Sequence, residues 1–150
     1  MNFNMDFVPL TVDPDKIYDY SFAIIKEEMG EHNFTDEQWL VVRRVIHASA
    51  DFELGRSMIF TEGAIEAGIQ SILAGRHVVA DVQMIESGSG RKRFQKHGGD
   101  LHCYIADEDV WKQAKEIGTT RAIISMQKAT KLQEGGIYAI GNAPTALLEL

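Results

Sequence analysis

Three short apolar runs, separated by helical stretches, constrain the fold of this 150-residue chain more than any other feature. They occupy residues 77–80, 101–106 and 137–140, and each is followed at once by a polar residue or a glycine. Their length and continuous apolar character are typical of strands buried on both faces. Residues 110–117 and 120–133 have helical patterns, each closed by a nearby glycine. Strands that alternate with helices predict an α/β fold with a parallel sheet and right-handed crossovers.

The first half of the chain has the pattern of amphipathic helices. An Asp-Pro pair followed by spaced apolar residues predicts a helix over residues 13–29. Thr35, with Gln38 three residues later, is a capping box and predicts the start of a second helix. Phe34 and Trp39 flank that start at the spacing of a hydrophobic staple. The sequence therefore fixes where the second helix begins.

His47 lies near the end of that helix, beside its apolar stripe. Asp51 follows His47 by four residues, and Arg43 and Arg44 precede His47 by four and three residues. If the helix continues, these spacings place a carboxylate and guanidinium groups on the face of the imidazole. A histidine in such surroundings is a suitable proton donor or acceptor near neutral pH. The same position also suits a purely structural histidine that complements the helix dipole, so both interpretations stay open.

Further polar residues fall on apolar faces or after predicted strands. Ser21 lies on the apolar face of the first helix, where its hydroxyl either bonds its own backbone or contacts a ligand. Asp81, Asp107 and Asn142 follow the three strands, at the sheet edge where ligands bind in such folds. We interpret Asp107 and Asn142 as helix caps. For Asp81 both interpretations stay open, because no clear cap pattern follows it.

A basic segment bordered by glycines could close over the carboxylates of a ligand, or equally be a solvated surface loop. Its basic residues are Arg91, Lys92, Arg93, Lys96 and His97. Only Phe94 could stack on a base, and the formal net charge of the chain is −7, so nucleic acid and anionic membranes are unsuitable partners. No apolar run approaches the roughly 18 residues of a membrane helix. The single cysteine, Cys103, fits the reducing cytoplasm. No histidine or cysteine pair has the spacing of a zinc site, which predicts no metal.

Five segments, taken together in their order and spacing, resemble the precorrin-8X methylmutase family, also called cobalt-precorrin-8 methylmutase, of cobalamin biosynthesis. They are residues 17–25, 45–48, 80–85, 116–121 and 139–147. The resemblance implies a three-layer α/β/α, flavodoxin-like fold and a homodimeric isomerase. This isomerase moves a methyl group from C11 to C12 of precorrin-8, giving hydrogenobyrinic acid, or cobyrinate when cobalt is present. The shift is intramolecular, so it implies no cofactor.

The resemblance also assigns roles to individual residues. His47 matches the catalytic histidine, proposed to protonate the macrocycle, and Ser21 matches a serine that contacts the tetrapyrrole. Arg121 matches an arginine near the substrate, and the neighbouring Thr120 and also Asp81 are carried over with it as substrate-binding residues. The basic segment adds Arg91 and Arg93 as further candidates for the substrate carboxylates, on their charge alone.

The family pattern continues past Leu150, so we expect a single domain over residues 1–150 whose C-terminal part is missing. Such a chain has a second possible role, that of a non-catalytic protein that binds or scaffolds a corrinoid. A hydrolase built on His47 and Asp51 is a third hypothesis, but the sequence offers it no convincing nucleophile.

Overall fold

A computed structural model describes residues 12–132 and 136–150 of the chain. Their contacts divide the chain into an N-terminal unit, up to Ile65, and a C-terminal unit, from Glu66 onward. Helices and a small parallel sheet make up the described structure, as the predicted α/β class requires. None of the described helices combines the length and the apolar character needed to cross a bilayer.

Within its described residues, 12–65, the N-terminal unit contains three complete helices: α1 (Pro14–Met29), α2 (Asp36–Ser49) and α3 (Phe52–Arg56). The capping box at the start of α2 is confirmed, because Gln38 N donates to Thr35 Oγ1 over 3.3 Å and Thr35 N donates to Gln38 Oε1 over 3.1 Å. A fourth helix, α4 (Ala64–Leu73), spans the division between the units.

Packing between α1 and α2 forms the core of the N-terminal unit. Ile25 and Met29 of α1 are buried against Val42 and Ile46 of α2. Gly55 of α3 lies so close that an added Cβ would stand 2.5 Å from Cγ1 of Ile46, which leaves room only for glycine. The two helices are therefore fixed to each other by apolar burial, the main favourable contribution to folding.

The predicted staple at the start of α2 includes a third ring. Phe34 and Trp39 both pack against the α1–α2 core. The imidazole of His32 stacks on Trp39 with ring centroids 4.4 Å apart, and it lies 5.6 Å from Phe34. Aromatic stacking thus fixes the direction in which the chain enters α2.

The C-terminal unit contains three short strands: β1 (Val78–Ala80), β2 (Leu101–His102) and β3 (Ile137–Ala139). Strand β1 is central, in the order β2-β1-β3, and both pairings are parallel, as predicted. Strand β2 is shorter than residues 101–106, because the chain turns at Tyr104, whose carbonyl accepts from Asp107 N over 3.1 Å.

Helices cover both faces of this sheet. They are α5 (Gln83–Gly88), α6 (Arg91–Gln95), α7 (Glu108–Ile117), α8 (Arg121–Leu132) and α9 (Pro144–Leu147). Val79 packs against α8 and α9 on one face, whereas Val78 and Ala80 pack against Ile85 of α5 and Phe94 of α6 on the other. This alternation gives the unit three layers, as expected for a parallel sheet buried on both sides. Gln133, the last residue of the helix predicted over 120–133, lies outside the described residues.

Candidate active site

His47 and Ser21 form the central contact of the candidate site in the N-terminal unit. Ser21 Oγ of α1 lies 2.7 Å from Nδ1 of His47 on α2, and both residues are half-buried. The rings of Tyr18 and Phe22 lie 5.2 and 5.4 Å from the imidazole. Because residues 18, 21 and 22 share one face of α1, the helix presents a hydroxyl and two rings to the same histidine.

This geometry leaves one ring nitrogen of His47 available for chemistry. Nδ1 is engaged by Ser21, whereas Nε2 has no hydrogen-bond partner within the described part of the chain. A hydroxyl donates to a neutral Nδ1 and accepts from a protonated one. The Ser21 contact therefore persists whether the ring is neutral or charged, while Nε2 can donate or accept a proton.

The predicted contact between His47 and Asp51 is wrong. Ala50 has a left-handed backbone with φ of 54° and ends α2. The carboxylate of Asp51 lies beyond that end and accepts from Leu54 N over 3.1 Å, as the N-cap of α3. A hydrolase would use such an acid to orient its histidine, so the structure removes one support of that hypothesis.

Arg43 and Arg44 turn toward an aromatic ring of α1. Their guanidinium carbons lie 4.5 and 5.7 Å from the centroid of Phe22, at distances typical of cation–π contacts. Phe22 in turn meets His47 edge-on. Sequence reasoning did not find Phe22 or Tyr18, although their spacing from Ser21 along α1 was the available signal.

Asp81 lies at the carboxyl end of β1 and is fully buried. Its carboxylate accepts from the backbone N–H groups of Gly141, Asn142 and Ala143, over 3.2, 3.0 and 3.0 Å. Burial by itself would raise the pKa of Asp81, but these three donors together hold the pKa below its ordinary value. The ionised carboxylate thus fixes the loop that follows β3.

The cap interpretations of Asp107 and Asn142 are wrong for their side chains. Asp107 occupies the N-cap position of α7, but no cap hydrogen bond forms and its carboxylate accepts from Lys128 Nζ over 2.7 Å. The N-cap of α9 is Ala143, and Asn142 instead donates its backbone N–H to Asp81. Long-range partners therefore replace local capping at this edge of the sheet.

Thr120 and Arg121 lie at the start of α8. Thr120 Oγ1 accepts from Ile123 N over 3.3 Å and lies 3.5 Å from Thr145 Oγ1 of α9. Thr120 thus caps α8. Arg121 is exposed, and no carboxylate of the described residues forms an ion pair with it. Its guanidinium is available to an anionic ligand.

The basic segment is not a loop, because Arg91–Gln95 forms the short helix α6. Arg91 donates to the carbonyl of Leu101 over 2.6 Å and pairs with Glu86 and Asp100. Arg93 is exposed and has no ion-pair partner in residues 12–132 and 136–150. Of the two arginines of this segment that were predicted to bind substrate, Arg91 is engaged by the fold and Arg93 is accessible.

The described residues include no group of three histidine, cysteine or acidic side chains placed to hold a metal ion. His77 Nδ1 and His102 Nε2 approach to 3.4 Å, but His77 Nδ1 already accepts from Asp100 N over 3.1 Å. Burial of His102 lowers its pKa, although Asp100 acts in the opposite direction. His77 of this pair therefore binds the backbone N–H of Asp100, the residue before β2.

Comparison with known proteins gives one consistent family. The family model described as precorrin-8X methylmutase matches residues 16–150. A cobalt-precorrin-8 methylmutase of Priestia megaterium is 60% identical over 150 residues, which are 100% of this chain and 67% of that protein. A cobalt-precorrin-8 methylmutase of Leptospira interrogans is 49% identical over 87% of this chain and 60% of its own length.

Solved structures agree with these relatives. The crystal structure of a precorrin-8X methylmutase from Thermus thermophilus superposes with a TM-score of 0.81 at 39% identity. The match covers 90% of this chain and 66% of that one. The chain thus spans between about three fifths and two thirds of the length of these relatives.

Proposed function

Because the chain belongs to the precorrin-8X methylmutase family, we propose that it is an isomerase moving a methyl group from C11 to C12 of precorrin-8 or cobalt-precorrin-8. The family match over residues 16–150 carries this proposal. The match includes both members of the Ser21–His47 contact, which supplies the proton-transfer group that such a shift needs. The proposed reaction is intramolecular and consumes no cofactor.

His47 is the proposed proton donor. Its Nε2 delivers a proton to the macrocycle and later takes one back, because an isomerisation has no net proton change. Ser21 holds Nδ1 through the 2.7 Å contact and so keeps the imidazole in one orientation. Positioning and a well-placed proton account for most of the rate enhancement that a rearrangement within one bound molecule requires.

The other predicted residues form two groups: those whose side chains are accessible to a substrate, and those engaged by partners within the fold. Arg121 and Arg93 are exposed and unpaired in the described structure, which supports direct contact with substrate carboxylates. Asp81, Thr120 and Arg91 are engaged by backbone and side-chain partners, so we assign them to holding the backbone around the substrate. We further propose a homodimer that acts in the cytoplasm, on the family resemblance and the single cysteine.

The experiment follows the absorption spectrum after precorrin-8 is added to the purified chain. An isomerase gives a change that progresses with time and continues when substrate exceeds protein. A corrinoid-binding protein without turnover gives an immediate, stoichiometric change that then stays constant. This second outcome would overturn the proposed activity. The Priestia megaterium relative, assayed in parallel, shows that the substrate preparation is competent.

A further inference from the structure

We propose that Arg43 and Arg44 form a carboxylate-binding subsite beside His47, which neither the sequence comparison nor the family match assigns. The inference rests on the proposed function, because the substrate supplies the carboxylate. The subsite would hold one acidic side chain at the edge of the macrocycle and so set which part of the ring faces the imidazole.

The first observation is that neither arginine has an acidic partner. No carboxylate of the described residues forms an ion pair with either guanidinium, although the chain has 22 acidic residues and a formal net charge of −7. The positions three and four residues away on α2, which normally supply such partners, hold no acid. They are Trp39, Leu40, Val41, Ile46, His47 and Ala48.

The second observation is the partly desolvated state of Arg43. Its Nε atom is buried and has no hydrogen-bond partner among residues 12–132 and 136–150. A buried polar donor without a partner costs free energy, and the cost is larger for a charged group. Arg43 is therefore not committed to a hydrogen-bond partner among the described residues of α1 and α2, which leaves the terminal N–H groups of its guanidinium for a ligand.

The third observation is the platform beneath the two cations. Phe22 lies 4.5 Å from the guanidinium carbon of Arg43 and 5.7 Å from that of Arg44. An aromatic ring stabilises a guanidinium without using its N–H groups in ordinary hydrogen bonds. Those N–H groups form the fork that matches the two oxygens of a carboxylate. The ring therefore leaves the arginines available to an acid that the described part of the chain does not supply.

The same ring connects the subsite to the proposed proton donor. Phe22 meets His47 edge-on with ring centroids 5.4 Å apart, and Ser21, its neighbour on α1, contacts His47 Nδ1. A carboxylate on Arg43 and Arg44 would thus lie one aromatic ring away from the imidazole. This distance suits a substrate whose acidic side chains surround the reacting ring.

The test measures binding of two probes, cobyrinic acid and its methyl ester, which share one ring and differ in charge. The variants are Arg43→Gln and Arg44→Gln, which keep a long polar side chain. Lys26→Gln is the matched control, because Lys26 is an exposed cation of α1 that pairs with no carboxylate of the described residues. Each arginine variant is expected to bind the acid about tenfold more weakly, the equivalent of about 1.4 kcal/mol. Lys26→Gln should leave the affinity unchanged.

The ester separates a charge contact from a loss of structure. If the subsite binds a carboxylate, the arginine variants bind the ester with the same affinity as the unaltered protein. Added salt should then weaken binding of the acid less in the variants than in the unaltered protein. Equal losses for acid and ester, or no loss for the acid, would overturn the subsite. Binding data of the expected form without turnover of precorrin-8 would overturn the proposed activity while leaving the subsite in place.

Discussion

The two units differ in how they hold their best-ordered polar candidates, although Arg93 and Arg121 of the C-terminal unit are exposed. In the N-terminal unit, aromatic rings of α1 hold His47, Arg43 and Arg44 and leave their N–H groups largely unused. In the C-terminal unit, Asp81 and Arg91 are engaged by backbone and side-chain partners of the fold itself. The contrast teaches that a polar residue at a sheet edge can be a structural component, whereas a polar residue on an aromatic platform is available to a ligand.

The largest expected effect is on catalysis, from His47→Ala. Turnover of precorrin-8 should fall by at least about 100-fold, the usual contribution of a general acid or base. Binding of the tetrapyrrole, measured by its spectral change at equilibrium, should survive because the arginines remain. A variant with full turnover would show that the proton comes from elsewhere. A variant that loses binding to the same extent as turnover would show that His47 is a binding residue.

The next effect is on stability, from Asp81→Asn. The amide can accept with one oxygen only, so at least one of the three backbone donors loses its partner. The free energy of unfolding should fall by about 2 kcal/mol, as measured by denaturant titration with circular dichroism. The matched control is Asp109→Asn, because the carboxylate of Asp109 is 67% exposed in its pair with Lys128 and its loss should cost much less stability than that of Asp81. Equal losses in the two variants would contradict the special role of Asp81.

Acid titration sharpens the same comparison. The pKa of Asp81 is lower in the folded chain than its ordinary value, despite burial, because of its three backbone donors. The ionised group therefore stabilises the fold above the unfolded pKa of about 3.9, and this stabilisation is lost as the pH falls through the folded pKa. Between neutral pH and pH 3 or so, Asp81→Asn should lose less stability than the unaltered chain. Parallel curves for the two proteins would show that Asp81 does not titrate in this way.

The smallest expected effect is at the cap of α2. Thr35→Ala removes the acceptor of Gln38 N and should reduce the free energy of unfolding by about 1 kcal/mol. Thr35→Ser keeps the hydroxyl and should retain most of the stability. Thermal unfolding of both variants checks the result. If Thr35→Ala lost as much stability as Asp81→Asn, the local cap of α2 would stabilise the fold as much as the long-range contacts of Asp81, contrary to our expectation.

Features encoded within a few residues were predictable from the sequence. The start of α2 depends on Thr35 and Gln38, three positions apart, and it is confirmed in detail. The parallel order of the strands follows from the helices between them, and it too is confirmed. Family resemblance, rather than spacing, identified Ser21 as a candidate site residue, and its contact with His47 emerged only from the structure.

Features that depend on one unusual backbone angle or on distant partners were not predictable. Ala50 adopts a left-handed conformation, which alanine rarely does, and this single residue separates Asp51 from the face of His47. The donors to Asp81 lie 60 to 62 positions later in the chain, beyond the range of any local pattern. The role of Arg91 depends likewise on the carbonyl of Leu101, which only the folded sheet brings near.

The contact between Asp81 and the loop after β3 also bears on how the chain is made. Strand β1 precedes its neighbour β3 in the sequence, so during synthesis it emerges from the ribosome long before β3 can pair with it. Until Gly141–Ala143 follow, the aspartate has only water to bond with and the sheet has an open edge. The C-terminal unit should therefore acquire its stability in one late step, whereas α1 and α2 can pack much earlier. Nascent chains shorter than about 140 residues would then carry an unprotected apolar strand and depend on chaperones.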